Sequence, residues 1–412
     1  MKPRSRVTPP LLIVLALLAA ACGEGPTAPA PPAPITELPR ALTLAERTVV
    51  DATGSFAFDL ARELAGEDPG KNLFISPLSA SLALAMTMNG ADGTTVQGMR
   101  TALRLEGLSE AEINTAFQTL LELLDGLDPS VGLAIANSIW FSQGTPPLPD
   151  FLQRVRTHYG AEVAEVDFGN PATLGRVNGW VSTQTRGAIP KIMDDLPGNL
   201  VMLLLNAIHF QGDWTTPFDP RQTETRPFTR GDGSTVSVPL MQRRGTLRGA
   251  FRGGASMVEL PYGGGAFTFV ALLPPEEGSP EEMLAGLTPA GWNDWLSALQ
   301  EEEGVVYLPR FSLEWEKRLN GVLGAMGMEE ALTPGADFSR LVPGGGVWID
   351  EVKQKSFVEV DEEGTTAAAV TSVSVVDSAP PEFRLDRPFL FAIRERLSGT
   401  LLFVGILNDP EE

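Results

Sequence analysis

The chain has 412 residues, 43% of them hydrophobic, which is enough to bury a full core in one large domain or in two or three smaller ones. A formal net charge of -21 argues against binding a nucleic-acid backbone, which needs clustered Lys and Arg. The only histidines are His158 and His209 and the only cysteine is Cys22, so neither an internal disulfide nor a Cys/His metal centre can form, and no metal or other cofactor is expected.

Lys2, Arg4 and Arg6 make a basic start, and Leu11 to Ala20 is an apolar run too short to span a bilayer as a stable helix. Ala19, Ala20 and Ala21 then lead into Cys22, which is the pattern of a secretory signal peptide over residues 1–21. The cleavage point resembles a bacterial lipobox, although Ala19 stands where Leu is usual and Leu18 is one place early. That resemblance implies that Cys22 becomes a lipidated first residue. The plainer reading is an ordinary signal peptide with an incidental cysteine. Either way the protein is expected to be exported, as a cell-envelope lipoprotein (outer membrane) or an extracellular protein. It would meet a membrane only through the lipid. Loss of the three positive charges of the signal takes the net charge from -21 to -24.

Residues 22–42 follow the composition of a tether. The run from Gly25 to Pro34 is almost entirely Pro and Ala, which favours an extended, semi-rigid spacer. From Thr43 to Glu412 the pattern is that of a single globular domain. Phe56, Leu60 and Leu64 recur at helical spacing, and Ser76-Pro77 reads as a cap followed by proline at the first helical position. Leu78, Leu82 and Met86 continue that helix toward Gly90 as terminator. Met257–Leu260, Ala266–Leu273, Val305–Phe311 and Phe357–Val360 read as strands, and Leu319, Leu323 and Met326 as a further helix. Helices early and strands late predict an α+β domain with large antiparallel or mixed sheets.

The search for catalytic motifs is negative. There is no Gly-x-Ser-x-Gly elbow, no His-Glu-x-x-His and no Walker loop. A Ser/His/Asp triad would have to use His158, which follows a predicted helix, or His209, which lies in an apolar strand-like run. Gly263-Gly264-Gly265 lacks the setting of a phosphate loop and reads as a hairpin closure. The chain is not expected to be an enzyme.

The most informative segment runs from Glu362 to Ala379. Between Gly364 and Val376 it carries no charge, no proline and no large aromatic residue. A surface loop normally carries Asn, Asp, Pro or Lys. This one is small and β-branched, as strands prefer. Thr365, Ala367, Ala369, Thr371, Val373 and Val375 would share one face of a strand. Composition alone is also compatible with a simple central strand or with a flexible linker.

Glu362-Glu363-Gly364-Thr365-Thr366-Ala367-Ala368-Ala369 is similar to the hinge of the serpins, a family of serine protease inhibitors, and departs mainly at Thr366, where Glu is common. Asn72 to Ser79, Ala136 to Trp140, Leu205 to Trp214, Glu259 to Tyr262, Leu308 to Phe311 and Phe383 to Phe391 resemble further serpin blocks, in order, over roughly residues 45 to 410. The resemblance implies an exposed reactive-centre loop that a protease attacks as a substrate. The protease's serine forms an acyl-enzyme. The cut loop then enters the central sheet as a new strand and distorts the tethered protease. By the same resemblance Ser76, Ser79, Asn137 and Asn206 belong to a shutter under the opening sheet, with Gln354 where many serpins have histidine, and Trp214 belongs to the breach where insertion starts. A charge at Thr365 or Ala367 would have to enter the interior at a cost of several kcal/mol.

Counting forward from Glu362 by the family's loop length puts the primary specificity residue at Ser378, with cleavage before Ala379. Counting back from Pro388-Phe389 gives Asp377, with cleavage before Ser378. An Asp377 reading suits a protease preferring acidic residues, and Val376 or Ser378 suits an elastase- or subtilisin-like one. No Arg or Lys lies in the loop to pair the buried carboxylate of a trypsin-like pocket. The expected partner is therefore a non-trypsin-like serine protease, met by a monomer. The competing reading is a non-inhibitory serpin, acting as carrier, chaperone or storage protein. Such proteins tend to have bulky or charged hinges, unlike this one.

Overall fold

The computed structural model describes residues 33–144, 146–364 and 380–411. Thr43 and Glu46 open helix α1 (Leu44–Glu67) with a reciprocal cap, each side chain bonded to the other's backbone N–H. Phe56, Leu60 and Leu64 are on its buried side. Strand β1 (Leu73–Ile75) leads through the Ser76 cap into α2 (Pro77–Met88). Every residue of α2 is buried, so its apolar residues surround the helix instead of forming one stripe. It ends at Met88 with Asn89 as the cap, and the expected terminator Gly90 follows directly in the turn, its N–H bonded to Thr87 O at 2.9 Å.

Next come α3 (Gly93–Ala102), α4 (Glu110–Asp125), β2 (Val131–Ser142), α5 (Pro149–Tyr159), β3 (Glu162–Val166), α6 (Pro171–Gln184) and β4 (Met202–Gly212). Strands thus begin well before the middle of the chain, earlier than composition suggests. Strands β5 (Glu224–Thr229), β6 (Thr235–Arg252), β7 (Ala255–Tyr262) and β8 (Phe267–Leu273) follow. Gly263–Gly265 joins β7 to β8 as the expected hairpin. Helices α7 (Pro280–Gly286) and α8 (Pro289–Ala298) precede β9 (Gln300–Pro309) and β10 (Phe311–Arg318). The predicted strand Val305–Phe311 is therefore two strands in different sheets, parted at Arg310. Of the helix expected around Leu319–Met326 only α9 (Asn320–Leu323) is regular; beyond it Gly327 turns the backbone to φ 111°. The chain ends with β11 (Glu351–Val360), β12 (Glu382–Arg384), β13 (Phe389–Glu395) and β14 (Leu401–Leu407).

Two sheets result. Nine strands make the first, in the order β1-β14-β13-β8-β7-β6-β9-β12 with β5 alongside β6. Five make the second, in the order β10-β11-β4-β2-β3. One face of the five-stranded sheet packs on α2 and the main core; the other is covered by α6, whose Val177 and Val181 meet Leu203, Leu205 and Ala207. This is an α+β fold. Residues 35–42 do not stand clear of it as a tether would. Ile35, Leu38 and Leu42 pack on the core, the Ile35 N–H donates to Gly264 O at 2.7 Å, and Arg40 grips the buried Glu46 carboxylate at 2.8 Å. A stretch that follows a Pro/Ala run can still dock where its apolar side chains, here Ile35, Leu38 and Leu42, meet the core.

Candidate functional site

The five-stranded sheet is forked. Its middle pair, β11 and β4, runs parallel, and the paired register extends from Glu351↔Leu203 to Phe357↔His209. Beyond that rung Val358 to Val360 stay paired with β10, while Phe210 to Gly212 stay paired with β2. The chain leaves β11 at the open end of the fork. The next described strand is β12, on the edge of the other sheet.

Below the fork a polar row crosses three strands. Asn137, Asn206 and Gln354 are register partners on β2, β4 and β11. All three are buried against the start of α2. The Asn206 amide donates to Asn137 Oδ1 at 2.7 Å, to Ser79 O at 2.8 Å and to Ser79 Oγ. Gln354 Nε2 donates to Asn206 Oδ1 at 3.0 Å and to Ser76 O at 2.9 Å, and Gln354 Oε1 accepts from Ser76 N–H at 3.1 Å. Ser76 Oγ closes the row by donating to Leu402 O at 2.7 Å. Every sequence-predicted shutter residue therefore sits in one network. Gln354 uses both ends of its amide there, donating through Nε2 and accepting through Oε1. Ser356, one turn of the pleat further on, bonds Phe74 O and belongs to the same layer; nothing in its sequence context signalled it.

At the mouth of the fork the chain turns around Trp214. The indole is 3% exposed, stacks on Tyr262 with centroids 4.3 Å apart, and donates from Nε1 to Asp361 O at 2.9 Å. The Trp214 and Phe218 amides donate to Glu363 O and Glu362 O at 3.0 and 2.8 Å. The Glu362 carboxylate is nearly buried and accepts from Thr223 Oγ1 at 2.6 Å, with Arg310 at 3.6 Å. Asp361 accepts the Glu363 and Gly364 N–H groups at 2.9 and 3.1 Å. Burial holds its carboxyl above the ordinary carboxylate range, outweighing those bonds. Gly364 has φ 103°, and a Cβ there would lie 2.3 Å from Trp214 N. Only glycine fits. Asp361, Thr223 and Arg310 escaped the sequence reading because each acts through tertiary contacts made by distant segments.

Hinge residues Thr365, Thr366, Ala367, Ala368 and Ala369, the scissile candidates Val376, Asp377, Ser378 and Ala379, and Cys22 lie outside the described residues. His158 lies inside the last turn of α5, not after it, with Nδ1 2.8 Å from Gln118 Oε1 of α4. His209 is half-buried on the last rung of the β11–β4 pair. Burial pushes its pKa down and the nearby Arg186 adds to this.

The profile of the family described as Serpin (serine protease inhibitor) matches residues 51–410. An uncharacterized serpin-like protein of Thermococcus kodakarensis is 36% identical over 377 residues, covering 89% of this chain and 87% of its own. Among solved structures, human thyroxine-binding globulin complexed with thyroxine superposes with a TM-score of 0.82 at 30% identity, covering 89% of this chain and 100% of its own. The mouse protein-Z dependent protease inhibitor superposes with a TM-score of 0.82 at 27% identity, covering 89% and 98%. With a forked parallel pair, a buried polar row beneath it and a match spanning nearly the whole domain, this chain belongs to the serpin family.

Proposed function

We propose that the protein inhibits serine endopeptidases as a suicide substrate. The observation that carries this reading is the fork between β11 and β4, open at the end from which residues 365–379 depart. A chain that leaves β11 and doubles back runs antiparallel to it, and therefore antiparallel to β4 as well. One inserted strand thus exchanges a parallel ladder for two antiparallel ones, the more stable pairing per residue. Even-numbered residues of both strands, such as Ile208 and Val358, face the α2 core, so half of the incoming side chains would be buried. The uncharged, proline-free composition from Gly364 to Val376 suits that burial.

In this mechanism the serine belongs to the protease. Its attack near Val376 to Ala379 leaves the loop esterified to the enzyme. Insertion then carries the enzyme away from its starting position before water releases it. The uninserted fold persists through a kinetic barrier, not because it is the most stable state. The target is elastase-like, subtilisin-like or specific for acidic residues. We further infer that the protein is exported and anchored through a lipid on Cys22.

The test mixes the mature protein with subtilisin, pancreatic elastase, trypsin and a glutamyl endopeptidase. A covalent complex that survives denaturing electrophoresis, with at least one of the non-tryptic enzymes, is expected. Simple loop cleavage with every enzyme would instead support the carrier, chaperone or storage reading.

A further inference from the structure

Among the described residues only two large hydrophobic side chains are exposed: Leu44 at 73%, opening α1, and Phe251 at 52%, near the end of β6. The second is beside the far anchor of the loop. Pro381 O accepts the Val305 N–H at 2.9 Å, and β12 then pairs in parallel with β9 through Phe383↔Val306. The Phe383 ring is fully buried and packs against β6 at Gly249, where a Cβ would come 2.0 Å from its Cζ. Phe251 is two residues further along the same face and stacks on that ring, centroids 4.8 Å apart and planes 21° apart. One face of Phe251 is thus fixed to the loop's anchor and the other is left in water. Arg252, exposed beside it, lies over the Trp295 ring of α8 at 5.5 Å.

We propose that Phe251 is a docking contact for the protease that cuts the loop, received by an apolar patch on the rim of that enzyme's active-site cleft. This rests on the inhibitor reading above. Ala379 is four residues from Phe383 and Val376 is seven. Fully extended, those links span at most about 14 and 25 Å. A protease of about 220 residues has a radius of gyration of about 17 Å, hence a body radius of about 22 Å. An enzyme engaged at any of the candidate bonds is therefore close enough to touch the ring. A stacked, half-exposed aromatic within that reach has the character of an interface hot spot.

The test uses whichever of subtilisin, pancreatic elastase and glutamyl endopeptidase the unaltered protein traps, and compares Phe251→Ser and Phe251→Lys. The lysine stem keeps Phe383 covered while placing a charge at the outer edge. The second-order rate of complex formation is expected to fall about fivefold to tenfold in both variants. The number of inhibitor molecules consumed per enzyme trapped should stay the same, and the lysine variant should keep its melting temperature. Unchanged association rates in both variants overturn the docking contact and leave the inhibitor reading intact. A rise in inhibitor consumed per enzyme trapped, at unchanged association rate, also overturns it, since the ring would then act on insertion. If the unaltered protein traps none of the three enzymes, the inhibitor reading falls first, and the contact with it.

Discussion

Replacing Gln354 by Leu keeps the volume of a fully buried side chain and deletes its amide. Three hydrogen bonds vanish: Ser76 N–H to Oε1 at 3.1 Å, and Nε2 to Ser76 O and Asn206 Oδ1 at 2.9 and 3.0 Å. Ser76 O still accepts from the Ala80 N–H within the helix start, so the Ser76 N–H and Asn206 Oδ1 are left as the orphans. Each buried orphan costs about 1–3 kcal/mol, giving about 2–6 kcal/mol in total. Melting entropy scales at about 2.1 cal/mol/K per residue, or about 0.8 kcal/mol/K for a domain of this size, so the apparent melting temperature should drop by about 3–8 °C. The bond to Asn206 also crosses the β11–β4 pair that would have to part for the proposed insertion. On the proposed mechanism its loss should lower the barrier as well as the native stability. On incubation at 37 °C the variant should lose inhibitory activity faster than the unaltered protein, turning into a monomeric, heat-resistant form. An unchanged melting temperature together with an unchanged inhibitory half-life would refute the role given to this row.

Gly364→Val places a Cβ 2.3 Å from Trp214 N and 2.6 Å from Gly212 O, at a φ of 103° that β-branched residues avoid. A destabilisation of about 2–4 kcal/mol is expected, with faster hydrogen exchange at the Trp214 amide; native-like exchange across 212–218 would contradict it. Glu46 titrates at about 2 against an ordinary 4.5, chiefly through its hydrogen bond to Arg40, so this carboxylate stabilises the fold above the ordinary value and ceases to do so as pH falls to about 2. The melting-temperature gap between the unaltered protein and Arg40→Met should therefore be full at pH 6 and close as pH approaches 2; a gap constant over that range would show that Arg40 acts otherwise.

Local signals carried much of the fold. The Ser76 cap, the Phe56–Leu64 spacing and the glycine-bounded strands around Gly263–Gly265 each follow from neighbours within a few residues, and each is found in the structure. What failed depends on distant partners. Val305–Phe311 reads as one strand because both halves are apolar, yet the chain changes sheets at Arg310, whose N–H bonds Pro239 O. The helix after Leu319 breaks at Gly324–Met328, where glycines offer no local pattern to hold it. Residues 35–42 look like spacer but dock through Ile35 and Arg40, whose partners Gly264 and Glu46 are invisible as partners in one dimension. In the site, family resemblance pointed to Ser76, Ser79, Asn137, Asn206, Gln354 and Trp214. The structure joins the first five in one bonded row and sets Trp214 at the mouth of the fork. Asp361, Thr223 and Arg310 gather around Glu362 and Gly364 only once the sheet has formed.

The central claim is that the cut loop enters the sheet between β4 and β11. Thermal melting of the native protein beside the same protein nicked within Val376 to Ala379 tests it most directly. Insertion adds a strand with ladders on both sides, so the nicked form should melt well above the native form. An equal or lower melting temperature after nicking would contradict insertion.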